Sequence, residues 1–277
     1  MVGQQNSLNL PKRVAVELTN RCNRACRECP RHKTNYPLGN MKWRLFNDII
    51  EQLPQSTVIV PFFRGEPLLY PQFPQAMRKL RYFDNVQVAT NGDLLNDKTE
   101  KALLSCSFVS LSLHKYASPS GNRRLNFLRN ARNNGTTTQV SIVDTLIPKK
   151  RKQSFVETWL EHADRVRIYV EHSQNGYGST RLKIDDRGQP CSKPFSDMVV
   201  YWDGKAALCC HDWNNQLNLG NLNTESISEV WTGQPYENVR VKHLNGKRRT
   251  VKSCVNCDQW MADYMPSGIL GELHTNA

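Results

Sequence analysis

The sequence predicts an α/β protein: a parallel sheet with helices on its outside, followed by a small cysteine-bearing C-terminal unit. Three observations point there. Short β-rich runs alternate with amphipathic stretches six times between residue 13 and about residue 172. That rhythm stops in a stretch rich in Gly, Ser and Asn at 173–189, which reads as a linker. Beyond it lie five of the nine cysteines, around a hairpin signal. Repeats of this kind imply right-handed crossovers, with the active site built by loops at the carboxyl ends of the strands.

Strands are expected at 13–18, 57–63, 86–90, 108–114, 139–145 and 165–171, where β-branched and aromatic residues concentrate. Helices are expected between them at 44–53, 73–83, 97–105, 122–133 and 152–163, from apolar residues at helical spacing. In the C-terminal part, Asp203-Gly204 is a turn signal that makes 198–208 a hairpin, and a helix follows at 226–232. The expected organisation is a disordered lead at 1–12, a first domain at 13–180 and a second at 181–277. A chain of 277 residues can bury a full core in either one or two domains.

Composition narrows the setting. No apolar export segment opens the chain, and no run approaches the roughly 18 apolar residues of a spanning helix, so a cytoplasmic, membrane-free protein is expected. Nine cysteines then argue for metal ligation in a reducing compartment rather than for disulfides. The net charge of +12 is concentrated at 149–152, at Arg123, Arg124, Arg129 and Arg132, and at 247–249. Such patches suit an acidic partner, whether a reducing protein, a phosphorylated substrate or RNA. None is interleaved with aromatic residues, which disfavours nucleic acid.

The chemistry starts at Cys22-Asn-Arg-Ala-Cys26-Arg-Glu-Cys29, directly after the first strand. Three thiolates leave a four-ligand site open, so an iron–sulfur cluster held there keeps one iron available to a small molecule. Zinc is the alternative, with Cys26 and Cys29 as one knuckle and Cys254 and Cys257 as another. That reading leaves Cys22, Cys191 and Cys209 without a role. Three further strand ends carry polar signatures: Arg64-Gly65-Glu66-Pro67, Thr90-Asn91-Gly92, and Ser112 within Val109-Ser-Leu-Ser-Leu113. In the second domain Cys191, Cys209, Cys254 and Cys257 supply four thiolates, enough to close a site around zinc or a second [4Fe–4S] cluster. Of the remaining two, Cys210 adjoins a ligand and is a possible hydrogen-atom donor. Cys106 reads as a buried, inert thiol.

The three-cysteine loop, the Gly65-Glu66 turn and the Thr90-Asn91-Gly92 strand end together resemble the radical S-adenosylmethionine (radical SAM) superfamily. The second cysteine set resembles its Twitch domain, a shortened SPASM domain. The resemblance implies a partial (β/α)6 TIM-like barrel. It implies two [4Fe–4S] clusters, one on Cys22, Cys26 and Cys29 and an auxiliary one on Cys191, Cys209, Cys254 and Cys257. It further implies S-adenosylmethionine contacting Gly65, Glu66, Asn91 and Ser112. Two positions depart from the family pattern: Arg64 stands for a glycine, and Glu28 for an aromatic residue that packs near the adenine. Gly39-Asn-Met41, similar to the family's Gly-x-Met segment, is a candidate to compensate. Over 13–260 the motif order resembles Twitch-bearing members that oxidise a secondary alcohol of an aminocyclitol. The implied reaction abstracts a hydrogen atom from a small polar substrate, with a flavodoxin- or ferredoxin-type electron donor. Rival readings are a maturase or epimerase acting on a ribosomally made peptide or a sugar. Candidate proton acceptors, from strand-end position, are His114, Glu171 and His172.

Overall fold

All six expected strands form, in order: β1 (Arg13–Val16), β2 (Val58–Val60), β3 (Asn85–Thr90), β4 (Phe108–Ser112), β5 (Thr137–Val143) and β6 (Arg165–Tyr169). The structure, a computed structural model, describes residues 10–115, 123–178, 188–264 and 270–276. Residues 1–9 of the expected 1–12 lead and most of the linker, 179–187, lie outside the described residues. Leu10 packs against the core and Lys12 O accepts from Val58 N at 3.0 Å, so the end of that lead is ordered. Strand β2 is shorter than expected because Pro61 has no N–H for the ladder, and the chain turns there, Phe62 N donating to Val60 O at 2.8 Å. The helices α1 (Trp43–Ile50), α2 (Phe73–Leu80), α3 (Asp97–Leu103), α4 (Arg123–Asn134) and α5 (Lys152–Leu160) follow their strands. Asn96 starts α3 with a capping box, its side chain accepting from the N–H groups of Lys98 and Thr99.

The C-terminal unit holds α6 (Lys193–Ser196), β7 (Asp197–Val200), β8 (Ala206–Ala207), α7 (Ile227–Thr232) and α8 (Gln234–Leu244). The expected hairpin is β7–β8, turning at Gly204 with φ +91°. It does not make a sheet of its own. Strand β7 pairs in parallel with β1, Arg13 opposite Asp197 through Val16 opposite Val200. A last strand that the sequence reading misses, β9 (Glu272–Thr275), pairs antiparallel with β6. The result is one nine-stranded sheet ordered β8-β7-β1-β2-β3-β4-β5-β6-β9.

The pleat gives this sheet two unlike faces. Val14, Val16, Val88, Leu111, Val140 and Ile168 point to the helices and share one core with Phe46, Phe73, Phe127 and Trp159. Each such burial contributes about 1.5–3 kcal/mol. The alternating positions carry Arg13, Gln87, Ser110, Gln139 and Ser141, which bond to one another: Arg13 Nη1 to Gln87 Oε1 at 2.7 Å, Gln139 Nε2 to Ser110 Oγ at 3.2 Å. Ser110 and Ser141 hydroxyls meet at 3.1 Å. Over β3–β5 the inner face is therefore polar, while over β1 and β7 it is apolar, with Ala15, Val199, Tyr201 and Phe63 packed together.

The two units are joined by a buried ion pair. Glu17, just past β1, is 0 % exposed, and Arg64 is 4 % exposed. Arg64 Nε and Nη2 donate to the two Glu17 oxygens at 2.7 and 2.6 Å, and Nη1 donates to Trp213 O at 3.0 Å. The guanidinium lies 3.8 Å over the Tyr201 ring and 4.2 Å over that of Tyr36. Replacing one partner strands the other charge. Arg64→Ala is expected to cost about 3–5 kcal/mol, and the pair Glu17→Leu with Arg64→Met less than either single change. Urea midpoints of the three proteins check this.

Candidate active site

The three-cysteine loop leaves β1 at the sheet's carboxyl edge, and its base is clamped by the segment after it. Asn20 Nδ2 donates to Pro37 O at 2.7 Å, Gly39 N donates to Asn20 Oδ1 at 2.8 Å, and Thr19 Oγ1 donates to Gly39 O at 2.9 Å. Within the loop Cys29 N donates to Cys26 O at 3.1 Å. All three cysteines are half-buried. Burial pushes their thiols up, partly opposed by the backbone N–H of Arg24 at Cys22 and that of Arg31 at Cys29. Gly39 is needed for packing, since a Cβ there would lie 2.5 Å from Trp202, and Met41 sits in the core.

Gly65 and Glu66 reach this loop from β2. A Cβ on Gly65 would stand 2.3 Å from Thr19 O and 2.6 Å from Arg21 O, so only glycine fits. Glu66 N then donates to Arg21 O at 2.8 Å. The Glu66 carboxylate accepts from Thr90 Oγ1 at 2.6 Å, Asn91 N at 2.8 Å and Leu68 N at 3.1 Å. Those bonds favour its ionised form, but burial outweighs them and raises its pKa. About four lone-pair positions exist on a carboxylate, so one stays open. Asn91 Nδ2 donates to Asn23 Oδ1 at 2.9 Å, which ties the β3 end to the cysteine loop. Asp93 pairs with Arg24 and Arg124; burial works against its charge, and the two guanidinium groups still hold it below the usual range. Three motifs 20–70 residues apart thus meet at one edge. Ser112 is exposed at the end of β4, not buried in it, with its hydroxyl 3.2 Å from that of Ser141. A cavity beside Cys26 is walled by Arg24, Glu28, Asp93, His114 and Thr145.

The second cysteine set converges as well. Cys191, Cys209, Cys254 and Cys257 line one cavity together with Lys193, His243, Arg248 and Trp260, and no carboxylate lines it. The first, second and third of these thiols are buried and Cys257 is half-buried. His211 N and Gln259 N each approach a cysteine sulfur at 3.4 Å, Cys209 and Cys257 respectively. His243 Nε2 lies 3.6 Å from Cys254 Sγ. Among the described residues no three His, Cys, Asp or Glu side chains gather tightly enough for a single metal ion. The four thiols face one another across the cavity instead.

A third cavity, a chamber that shares Lys193 with the second thiol site, is walled by Arg13, Phe63, Tyr169, Gln174, Cys210 and Trp213, among others. Cys210 is exposed. Burial raises its thiol, but His211 and Lys193 beside it prevail and bring it down to about 7. The loop after β6 holds this region together. His172 Nδ1 lies 3.0 Å from Asp258 Oδ1, and Ser173 N donates to Asp258 Oδ2 at 2.7 Å. Burial disfavours the Asp258 charge, yet these partners hold the carboxyl at about 2. The His172 and His211 rings meet edge to face at 5.1 Å. Gln174 Nε2 donates to Glu28 O at 3.0 Å and Lys33 Nζ to Tyr177 O at 2.7 Å. Gln174 and Asn175 take positive φ, 43° and 59°, a strained state often found at functional sites.

Comparison with known proteins gives this arrangement a family. Residues 16–159 match the radical SAM superfamily, and 191–258 match SPASM, an iron–sulfur cluster-binding domain. The chain belongs to the radical SAM superfamily. It is similar to the S-adenosyl-L-methionine-dependent 2-deoxy-scyllo-inosamine dehydrogenase of Niallia circulans, 24% identical over 252 residues, 88% of this chain and 92% of that protein. The crystal structure of BtrN in complex with AdoMet and 2-DOIA superposes with a TM-score of 0.63 at 21% identity, covering 90% of this chain and 93% of that one. Streptococcus suis SuiB bound to the precursor peptide SuiA superposes with a TM-score of 0.68 at 14% identity, over 84% and 67% of the two chains. These superpositions establish the radical SAM fold.

The superfamily's cofactors, S-adenosylmethionine and a [4Fe–4S] cluster with auxiliary iron–sulfur in the SPASM domain, fit the residues present. The first thiol set is half-buried and accessible, as an open cluster requires, and the second is enclosed. Lys193, Arg248 and N–H groups aimed at sulfur suit an anionic thiolate cluster, and Trp260 Nε1, which lines the second cavity, is buried without a partner. Cys106 is 5 % exposed against Met77, its thiol pushed up to about 12 by burial, as a structural thiol should be. Sequence reading missed Glu17, Asp258 and the junction role of Arg64; the glycine-to-arginine departure was the one available signal. Gly65→Ala is expected to weaken S-adenosylmethionine binding at least about tenfold, a cost of about 1.4 kcal/mol, measured by calorimetry on reconstituted protein.

Proposed function

We propose that this radical SAM enzyme is a cytoplasmic dehydrogenase that oxidises a secondary alcohol of a small polar molecule, of the sugar or aminocyclitol kind. Cys22, Cys26 and Cys29 hold the [4Fe–4S] cluster that S-adenosylmethionine joins. Gly65, Glu66, Asn91 and Ser112 contact the S-adenosylmethionine, and Cys191, Cys209, Cys254 and Cys257 hold one auxiliary [4Fe–4S] cluster. One observation carries this reading: the chamber wall is tied to both thiol sets. Its Gln174 donates to the carbonyl of Glu28, the neighbour of Cys29, and its Cys210 is the neighbour of Cys209. The dehydrogenase of Niallia circulans, matched over nearly its whole length, supports the same chemistry.

When bound, S-adenosylmethionine on a reduced cluster supplies a 5′-deoxyadenosyl radical as hydrogen-atom abstractor, and the auxiliary cluster supplies a one-electron acceptor. The chain's residues do the rest. Arg13, Gln174 and Asp197, polar residues of the chamber wall, receive hydroxyl groups of the substrate. Converting a carbinol to a ketone removes a hydrogen atom, a proton and one electron. His172 accepts the proton: Asp258 holds its Nδ1–H, which leaves Nε2 as the acceptor. The electron leaves through the Cys209–Cys210 wall. A flavodoxin- or ferredoxin-type protein donates the electron that starts each cycle.

A second reading, epimerisation, is favoured by Cys210, which lines the chamber: its protonated thiol can return a hydrogen atom, and one electron and one proton then restore the thiyl radical to the thiol. Three proteins separate the readings. Reconstituted enzyme is expected to hold about eight irons, falling to about four when Cys22, Cys26 and Cys29 all become Ala. His172→Gln is expected to keep 5′-deoxyadenosine formation and lose at least about a hundredfold in ketone formation. Cys210→Ala should still make the ketone from an aminocyclitol; product lost with 5′-deoxyadenosine retained would replace oxidation by epimerisation.

A further inference from the structure

The 20 residues from Asn238 to Cys257 contain six lysines and arginines, no aspartate or glutamate, and no Phe, Tyr or Trp. Their inward side chains build the second thiol site. His243, Arg248, Cys254 and Cys257 all line its cavity, and Arg248 Nη1 donates to the carbonyls of Cys254 and Cys257 at 3.3 and 3.4 Å. Their outward side chains are of two kinds. Lys242, Lys247 and Lys252 are exposed cations. Val241, Leu244 and Val255 are apolar and 44, 67 and 45 % exposed. Lys247 N donates to Lys242 O at 2.8 Å, which folds the end of α8 back on itself and brings those two lysines together. Among the described residues none of the three lysines has a carboxylate partner. Each exposed lysine is thus the chain neighbour of a residue that lines the thiol cavity: Lys242 of His243, Lys247 of Arg248 and Lys252 of Ser253.

We infer that this face docks a small acidic one-electron carrier protein, which takes the electron delivered to the four-cysteine site. The inference rests on the functional reading above, in which each turnover leaves one electron there. Resetting the site moves that electron to the carrier: the site is oxidised by one electron, the carrier is reduced by one, and no bond or proton changes hands. Charge complementarity selects an acidic partner and speeds its encounter. The exposed aliphatic side chains suit a protein surface, and the lack of aromatic residues deprives single-stranded RNA of its stacking platform.

The test uses holoenzyme and oxidised flavodoxin as the acidic probe, under anaerobic calorimetry. Binding is expected to weaken with salt. Lys242→Glu/Lys247→Glu/Lys252→Glu should raise Kd at least about tenfold, while Lys98→Glu/Lys101→Glu/Arg129→Glu, the same charge change on α3 and α4, should stay within about twofold. Iron content and circular dichroism matching the parent certify both variants as folded. In a second measurement the Cys22→Ala/Cys26→Ala/Cys29→Ala protein, which keeps only the four-cysteine site, is reduced and mixed with oxidised flavodoxin. One electron per protein should reach the flavin, at least about tenfold more slowly when the three lysines are also reversed. Equal losses from both charge variants, no loss from the first, or an RNA oligonucleotide binding this face in place of flavodoxin would each overturn the docking face. Absence of iron from the four-cysteine site would instead overturn the functional reading, and the electron transfer with it.

Discussion

Glu17 and Arg64 are both withdrawn from water, and each offsets the cost of burying the other's charge. Their pairing positions far more than themselves. Glu17 directly follows β1, on the way into the three-cysteine loop, and Arg64 immediately precedes Gly65 and Glu66. The same carboxylate accepts from Trp202 N at 3.3 Å, and Glu17 N donates to Val200 O at 2.8 Å, so the C-terminal unit is registered against the same point. Tyr36, Tyr201 and Trp213 enclose the guanidinium with aromatic surface and carbonyl oxygen, which supply the solvation that water would give. One ion pair thereby sets the relative placement of the cysteine loop, the Glu66 turn and the domain that carries the second thiol set.

A second joint lies on the opposite side of the chamber, in the loop after β6. It touches the cysteine loop through Glu28 and Lys33 and the C-terminal unit through Asp258 and the carbonyl of His211, which accepts from Asn175 Nδ2 at 3.3 Å. Backbone strain at Gln174 and Asn175 is sustained because so many partners determine the loop's path. A loop held from both directions is well suited to orient an imidazole, and His172 is the one candidate base whose ring has a buried carboxylate beside it.

How much of this was legible follows the range of the signals. The six strands and five helices could be read because periodicity is local, and β2 came out short for an equally local reason, a proline. The cysteine sets and the Gly65-Glu66 and Thr90-Asn91-Gly92 turns could be read because their spacing is chemical information in itself. The pairing of β7 with β1 could not: it joins residues 184 apart, and nothing in Asp197–Val200 distinguishes the edge of a separate sheet from the ninth part of a shared one. Strand β9 is short, polar and exposed along most of its length, so it carries no alternation to detect. Asp258 reads as a residue after a cysteine until the fold sets it against His172, 86 positions away. Ser112 shows the converse, a serine read as buried from its apolar neighbours that proves exposed because the strand ends there.

The unequal burial of the two thiol sets bears on how the protein survives in air. Dioxygen and peroxide attack sulfur and iron in proportion to access, and thiolates on that route move up the oxidation ladder first. Cys22, Cys26 and Cys29 lie on an accessible loop, while Cys191, Cys209 and Cys254 sit behind packed side chains. A brief exposure therefore damages the two sites in sequence, the loop first. Protein handled aerobically would keep its fold and the buried thiols Cys191, Cys209 and Cys254 while its loop thiols are already oxidised.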